Sequence, residues 1–338
     1  MNLKFIHLFK NGITLGYKYM SQMLPYSFFN DVEKPLKYIL YGDTDSDFVW
    51  LPNITIDTND LRPTIDLANT IGKDINRLIE EHMKTNVLPK MGINPIHNRT
   101  KFKTEIIADC IFFIGIKKNY AYRLLVKEGN IIEHKPIKYT GLTTKSDMTK
   151  YTKQIINELI EQIMFNKEIP LKDKMNKATL FVMKFKQIIK KDISELNLEQ
   201  IGQPKKWSLK TKNNTDTWQV FAMKLYNTIM DTEFFKPLSG GIAVPIIIKD
   251  INLFLQKIDP YRFKSDLYIQ DASLNKLKHI VLPYSFDKET VRERLNEYTI
   301  EINEDDVWGK ICGQTIQDIM QLFNKYSNPL NQYISNIS

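Results

Sequence analysis

The first part of the chain alternates apolar and polar positions in short runs, which predict strands around one helix. LKYILYG (36–42) and DFVWL (47–51) are β-rich and flank a short polar tip, which predicts a hairpin. FKTEIIADCIFFIGIK and NYAYRLLVKEGNIIEHKPIKYTG predict further strands with a turn at KEGN. Residues 1–24 are predicted to form a helix that ends before PYSFFNDVEKP. An amphipathic helix packed on the sheet is predicted over 66–88 from apolar residues at helical spacing: Leu67, Ile71, Ile75, Leu78, Ile79 and Met83.

Beyond Gly141 the pattern becomes mainly helical. SDMTKYTKQIINELIEQIMF predicts a helix capped by Ser146 or Asp147. A second helix is predicted over about 176–196 with lysines on its solvated side, and the pattern after about 205 is mixed. The predicted fold class is α+β: antiparallel sheet with packed helices over 1–140, then a mainly helical unit over 141–338. The apolar face of the first of these helices is predicted to comprise Ile155, Ile156, Leu159, Ile160 and Ile163.

Charge and cysteine content narrow the functional classes. The 338 residues carry a net charge of +8, concentrated in residues 101–250, which hold 26 basic and 16 acidic residues. Such a basic segment favours contact with a polyanion. The two cysteines, Cys110 and Cys312, give no disulfide framework. Neither a signal-peptide pattern nor an apolar run near the ~20 residues of a membrane helix is found. We therefore expect no membrane partner and a cytoplasmic location, the host cytoplasm if the protein is viral.

The predicted hairpin tip is unusually acidic, with Asp43, Asp45 and Asp47 within five positions. Two carboxylates about 4 Å apart repel by roughly 4 kcal/mol at an effective dielectric near 20, so a cation or a bound proton must relieve them. Paired carboxylates suit Mg²⁺, which keeps waters and takes substrate phosphates as further ligands. Two such ions can clamp the attacking and leaving oxygens of phosphoryl transfer. The plainer interpretation of the Asp-x-Asp pattern alone is a solvated turn or a structural Ca²⁺ site.

The residues around the aspartates resemble a known motif. YGDTDS, Tyr41 to Ser46, resembles motif C of family B DNA polymerases, which forms a hairpin in the palm domain and binds the catalytic metals. The resemblance implies that Asp45 is the principal ligand of a two-metal Mg²⁺ site and that Asp43 is its weaker companion. It assigns no role to Asp47. KTE, which ends at Glu105, resembles the palm carboxylate that follows motif C on an adjacent strand, so the implied catalytic residues are Asp45, Asp43 and Glu105.

KKNY, Lys117 to Tyr120, resembles the KKxY motif at the border of palm and thumb. On a strand, Lys118 and Tyr120 would point to one face and Lys117 to the other. The minor-groove edges of all Watson–Crick pairs offer similar acceptors, so a lysine there would test the shape of the pair at the primer end without reading sequence. Taken by itself the motif is typical of any charged strand.

KYTGLTTKSD, Lys138 to Asp147, resembles the segment that joins palm to thumb in T-even phage-type polymerases and contacts the primer backbone. By this resemblance Gly141 permits close approach and Lys145 neutralises charge, while the hydroxyls of Thr143, Thr144 and Ser146 donate to phosphate. An N-cap and turn is the alternative for this stretch, and both readings are compatible.

Other family B elements are not found in the sequence. No motif A aspartate or fingers helix is seen in residues 1–40, no exonuclease carboxylate set is seen anywhere, and NGITLGYKYMSQML resembles the palm helix before motif C. The resemblance implies the C-terminal subunit or fragment of a split family B DNA polymerase, with palm over 1–140 and thumb over 141–338. It would use primer–template DNA and dNTP, and would be active only with an N-terminal subunit that carries motif A, fingers and exonuclease. A viral origin is expected.

Two other functions remain open at this point. A non-catalytic DNA-binding accessory protein derived from a polymerase thumb would also bind duplex in a salt-sensitive way. A metal-dependent nuclease would need further ligands, and the five histidines are scattered. QDIMQLF (317–323) has part of the spacing of a sliding-clamp peptide but lacks the second aromatic, so packing of a terminal helix is favoured. Nothing favours base stacking over packing for Trp207, Trp218 and Phe221.

Overall fold

The computed structural model describes residues 12–19, 39–43, 46–52, 57, 59–98, 102–114, 118–206, 218–232, 240–258 and 277–327. The chain divides into two compact units, Met1–Leu142 and Thr143–Ser338. Both contain antiparallel strands and helices, so the fold is α+β. In the described ranges, no helix has the length and apolar character needed to cross a membrane.

The first unit is built on one antiparallel sheet, which has seven strands within the described residues. The strand order is β2-β3-β1-β4-β5-β6, and β7 also pairs with β5. The strands are β1 (Gly12–Tyr19), β2 (Ile39–Asp43), β3 (Ser46–Pro52), β4 (Phe102–Phe113), β5 (Tyr120–Lys127), β6 (Asn130–Ile131) and β7 (Ile137–Thr140).

The predicted hairpin is confirmed, because β2 and β3 pair in antiparallel register up to Asp43 opposite Ser46. The turn at KEGN is confirmed as well. There, Lys127 pairs with Asn130, and the two residues between them take the positive φ values, +50° and +83°, of a tight hairpin turn. Both predictions succeed because hairpin signals are local.

The helix predicted over residues 1–24 is wrong for 12–19, which form β1 between β3 and β4. The comparison of NGITLGYKYMSQML with a palm helix fails over the same residues. The sequence GITLGYKY places Ile13, Leu15, Tyr17 and Tyr19 at every second position, which is the period of a strand. Two glycines in eight residues also disfavour a helix. The rest of 1–24 lies outside the described residues.

The predicted amphipathic helix is confirmed as α1 (Arg62–His82), which continues into a π-helical segment (Met83–Val87). It starts earlier than predicted because Pro63 suits the first helical turn. Leu67 and Leu78 were assigned to the apolar face but are exposed. The helix packs on the sheet through a core cluster of Leu61, Ala68, Ile107, Leu125 and Val126, with Ile65, Ile71 and Ile75 against it.

The second unit begins with α2 (Lys150–Glu158), which runs on as a π-helical segment (Leu159–Met164). The cap predicted at Ser146 or Asp147 is wrong. Thr149 is extended and its hydroxyl accepts a hydrogen bond from the Thr152 amide at 3.0 Å. The predicted apolar face is confirmed, since all five of its residues are buried. The second predicted helix is α3 (Leu171–Ser194), five residues longer at its start.

A four-stranded antiparallel sheet within the described part of this unit was not predicted. Strand β9 (Gly240–Ile248) pairs with β8 (Gln203–Lys206), β10 (His279–Pro283) and β11 (Ile300–Ile302). The run GGIAVPIII is continuously apolar and most of it is buried, so it lacks the alternation that marks a half-exposed strand. The remaining helices are α4 (Leu198–Ile201), α5 (Trp218–Met230), α6 (Ile251–Lys257), α7 (Lys288–Glu297), α8 (Glu304–Ile311) and α9 (Gln314–Ser327).

Candidate active site

The acidic tip lies where β2 ends. Asp43 is the last residue of β2 and Ser46 is the first residue of β3, so the motif YGDTDS is centred on the hairpin connection. Asp45 lies outside the described residues, as does the side chain of Asp43. Asp47 is within β3, where it pairs with Gly42 and Tyr17. The place of the predicted metal ligands at the hairpin tip therefore follows from the sequence and from the register of β2 and β3.

Glu105 lies at the same end of the sheet as the hairpin tip. A row of paired residues runs from Asp43 through Ser46 and Lys18 to Lys103, and Glu105 follows two positions along β4. The prediction that its strand is adjacent to the hairpin is wrong, because β1 lies between them. The register of β1 and β4 shifts at Glu105, which is half-buried. Such irregularities re-aim side chains locally.

An aromatic cluster joins the hairpin to the KKNY strand. The ring of Phe48 in β3 lies 5.3 Å from that of Tyr120 and 6.1 Å from that of Phe113. Tyr122 stacks on Tyr120 at 6.2 Å. Since two strands separate β3 from β5 in the sheet order, these contacts require a strongly coiled sheet. The cluster buries Phe48 and fixes the tip of β3 relative to the start of β5.

The environment of this cluster is both apolar and negative. Burial raises the pKa of the Tyr122 hydroxyl to about 12, and the neighbouring Tyr120 and the carboxylate of Glu105 add to that shift. Tyr122 therefore stays neutral at physiological pH and cannot act as an anionic ligand there. The influence of Glu105 on Tyr122 also places its charge within electrostatic range of the aromatic cluster.

Lys118 of KKNY is not on a strand as predicted. β5 begins at Tyr120, and Lys118 lies in the preceding turn with φ +60°, exposed to solvent. The prediction that Lys118 shares a strand face with Tyr120 is therefore wrong, since alternation applies only within the strand. Lys117 lies outside the described residues.

Gly141 brings the second predicted DNA-binding segment against this turn. β7 pairs with β5 so that Thr140 lies opposite Tyr120. Gly141 follows with φ +70°, and a Cβ there would lie 2.2 Å from the carbonyl oxygen of Lys118. Only glycine fits both this conformation and this spacing. The resemblance implies close approach of Gly141 to the primer; the observed close approach is to the KKNY turn.

The rest of the segment opens the second unit. Thr144, Lys145 and Ser146 are exposed, Thr143 is half-buried, and the amide of Met148 bonds back to the carbonyl of Lys145. The exposed hydroxyls and ammonium are available to solvent anions. This turn precedes the Thr149 cap. The turn that the sequence analysis gave as the alternative to primer contact is therefore present.

A partly buried ion pair links β4 and β5. Arg123 donates from Nε to Asp109 Oδ1 at 2.8 Å and from Nη2 to Asp109 Oδ2 at 2.6 Å, with a further contact to Cys110 Sγ at 3.3 Å. Asp109 is buried, and the carboxylate raises the pKa of the Arg123 guanidinium. In sequence, Asp109 was visible only as an interruption of an apolar run. The pair serves structure, since it satisfies both charges internally.

The donor set at the tip fits a hard divalent cation. Carboxylates are the oxygen donors that such a cation prefers, and the sequence has two of them, Asp43 and Asp45, within three residues. Among the residues that the structure describes, no group of three or more His, Cys, Asp or Glu side chains could hold a metal ion.

Comparison with protein-family models gives no match, and comparison with curated protein sequences gives none either. Among solved structures, the chain is similar to the family B DNA polymerase from the hyperthermophilic archaeon Pyrobaculum calidifontis. The two share 15% sequence identity with a TM-score of 0.42, and the match covers 84% of this chain. The chain spans 26% of that polymerase.

Proposed function

We propose that the chain is the C-terminal subunit or fragment of a split family B DNA polymerase. It supplies the motif C aspartates Asp43 and Asp45 together with Glu105 for template-directed nucleotidyl transfer. The observation that carries the proposal is the hairpin: YGDTDS is centred on a connection between paired strands, and Asp43 ends β2 opposite Ser46. Mg²⁺ held by Asp45 and Asp43 would polarise phosphate oxygens and neutralise charge as it develops.

The turn at Lys118 and the segment from Gly141 to Ser146 serve DNA binding in this proposal. The contact of Gly141 with Lys118 supports it, because it joins two stretches that both carry exposed cations or hydroxyls. Contacts of this kind go to phosphate and position the duplex without reading sequence. The aromatic cluster of Phe48, Tyr120 and Tyr122 holds this strand against the hairpin.

A two-metal site needs a further carboxylate, and we assign it to a second polypeptide that also carries the fingers and exonuclease. The palm is residues 1–140 and the thumb is residues 141–338 in this assignment. Purified alone, the chain should then bind primer–template DNA but extend it at a negligible rate with Mg²⁺ and nucleotides. Efficient synthesis by the lone chain would refute the need for a partner.

The decisive experiment compares Asp45→Asn with Asp47→Asn in primer extension with candidate partner polypeptides that carry motif A. Both changes remove one carboxylate from the same hairpin, and only Asp45 is assigned to the metals. Loss of a metal ligand should slow synthesis about a hundredfold or more, because the ion contributes several kcal/mol to the transition state. DNA binding in the presence of a chelator should be unchanged in both variants.

The same comparison separates the enzyme from the accessory DNA-binding protein. An accessory protein would support its partner equally well with Asp45→Asn, Asp47→Asn and the unaltered chain. Equal activity of the three would therefore favour that second function and reject the catalytic role of the hairpin.

A further inference from the structure

The second unit gathers cations around one tryptophan. The ammonium of Lys205 in β8 lies 5.5 Å from the ring centre of Trp218, and that of Lys310 in α8 lies 5.9 Å from it. The imidazole of His279, the first residue of β10, lies 4.6 Å from the same ring, and Lys310 Nζ contacts His279 Nε2. We call Lys205, Trp218, His279 and Lys310 the Trp218 cluster. Four elements that are distant in sequence thus converge on one place.

The fold fixes the backbone that carries this cluster. Trp218 packs on a core formed by Ala222, Ala243 and Val281. Strands β8 and β10 both pair with β9, with Lys205 opposite Gly241 and His279 opposite Pro245. Because these side chains are carried by paired strands and packed helices, their backbone positions are fixed before any ligand arrives. Preorganisation of this kind lowers the entropic cost of binding.

Among the described residues, the positive charges that act on this cluster outnumber the negative ones. Burial lowers the pKa of Lys310, and the ammonium of Lys205 lowers it further, against the opposing effect of Asp306. Burial likewise lowers the pKa of His279 to about 4, with contributions from Lys310, Lys205 and Lys278, again opposed by Asp306. Asp306 is exposed and accepts a hydrogen bond from Asn303 at 2.9 Å. An added anion would relieve this repulsion.

We propose that the Trp218 cluster binds a phosphate group of a nucleic-acid backbone. Lysine is a point-charge donor suited to phosphate, and the neutral imidazole of His279 adds one ring N–H donor. Trp218 is packed against the core on the sheet, so its role is to shield the site and to stabilise the cations through its ring. The assignment to nucleic acid, as opposed to free phosphate, rests on the proposed function, whereas none of the four residues was assigned a binding role from sequence.

Binding of a labelled DNA duplex by the full chain tests the proposal through charge-removing variants. Lys205→Gln and Lys310→Gln should each weaken binding about tenfold at low salt and reduce the slope of log affinity against log salt by about one. Lys249→Gln is the matched control, because Lys249 is an exposed lysine of the same unit that pairs with Glu301 at 2.9 Å. Equal effects of all three variants would mean that DNA binding depends only on the overall positive charge of the chain. That result would overturn the proposal.

A second measurement follows the cluster in the unaltered chain. The pKa of His279 is followed by NMR in the unaltered full chain, with His279→Gln used only to assign its signal, first alone, then with inorganic phosphate, then with the duplex. A bound phosphate should raise the pKa of His279 by about one unit, because a nearby negative charge favours the imidazolium. No shift with either probe would overturn the site, and a shift with inorganic phosphate alone would overturn the assignment to nucleic acid. Each outcome is independent of the catalytic test on Asp45.

Discussion

Gly141 packs directly against the backbone of Lys118, so that a Cβ on Gly141 would lie 2.2 Å from the Lys118 carbonyl oxygen and 2.6 Å from Asn119 Oδ1. Real Cβ atoms do not approach a backbone oxygen this closely, and the turn would have to move. The contact therefore couples two surface segments whose sequences separately resemble DNA-binding motifs. Any side chain at residue 141 should disturb both segments at once.

We expect Gly141→Ala to destabilise the first unit by about 3 kcal/mol, through the positive φ and the clash together. Gly92→Ala isolates the backbone effect, because Gly92 has a similar φ of +69° with nothing near its missing Cβ, and it should cost about 1 kcal/mol. Urea unfolding of both variants measures the difference. Equal losses of unfolding free energy in the two variants would mean that the turn at Lys118 moves away from the new Cβ without strain.

Local signals made much of this fold predictable. The β2–β3 hairpin, the turn at KEGN and α1 each follow from neighbouring residues, and the apolar face of α2 follows from helical spacing. Residues 12–19 were predicted wrongly because this eight-residue strand lies within a longer stretch that was assigned as one helix. The sheet of the second unit was not predicted because β9 is buried almost throughout and shows no alternation of apolar and polar residues.

The candidate site was predictable only in part, for a different reason. The motif around Asp45 is contiguous, so its position on a hairpin could be inferred. The contact between Lys118 and Gly141 depends on pairing of β5 with β7, and the aromatic cluster depends on coiling of the sheet. The Trp218 cluster joins residues up to about a hundred positions apart. A single sequence does not specify such distant pairings.

The bidentate pair of Arg123 and Asp109 should behave as a coupled unit. Asp109→Leu alone leaves the guanidinium without its partner and should cost about 3 kcal/mol of unfolding free energy. The double variant Asp109→Leu/Arg123→Met should be less destabilised than the sum of the single variants, because neither charge is then stranded. A double-mutant cycle by urea unfolding measures this coupling. Strict additivity would show that the pair adds nothing beyond its separate side chains.

The fully buried Lys174 should be a major determinant of stability in the second unit. Its ammonium donates to the carbonyl oxygens of Ile163, Met164 (3.0 Å) and Asn166 (2.6 Å), where the π-helical segment ends. These carbonyls lie at the C-terminal end of the helical segment, where no following turn can donate to them. A positive charge at this end also interacts favourably with the negative pole of the helix dipole. Lys174→Met should therefore cost about 3 kcal/mol by leaving buried acceptors unpaired.

The control for this prediction is Lys177→Met, an exposed lysine one turn further along α3. It removes the same charge from the same helix and should change the unfolding free energy by less than about 0.5 kcal/mol. Circular dichroism during chemical unfolding compares the two. If both variants unfold alike, the hydrogen bonds of Lys174 contribute no net stability.

His279 should make the second unit sensitive to acid. Its pKa is about 4 in the folded protein, lowered by burial and by the nearby ammonium of Lys310, whereas an unfolded histidine titrates near its ordinary value of 6.5. Between these two pKa values the unfolded chain binds the proton and the folded chain does not, so stability is complete above 6.5 and falls as the pH drops toward 4. His279→Gln removes this titration and should flatten the dependence over that window. Unfolding in urea at several pH values, with exposed His134→Gln as control, measures the slope. An unchanged slope in His279→Gln would mean that other groups govern the acid sensitivity of this unit.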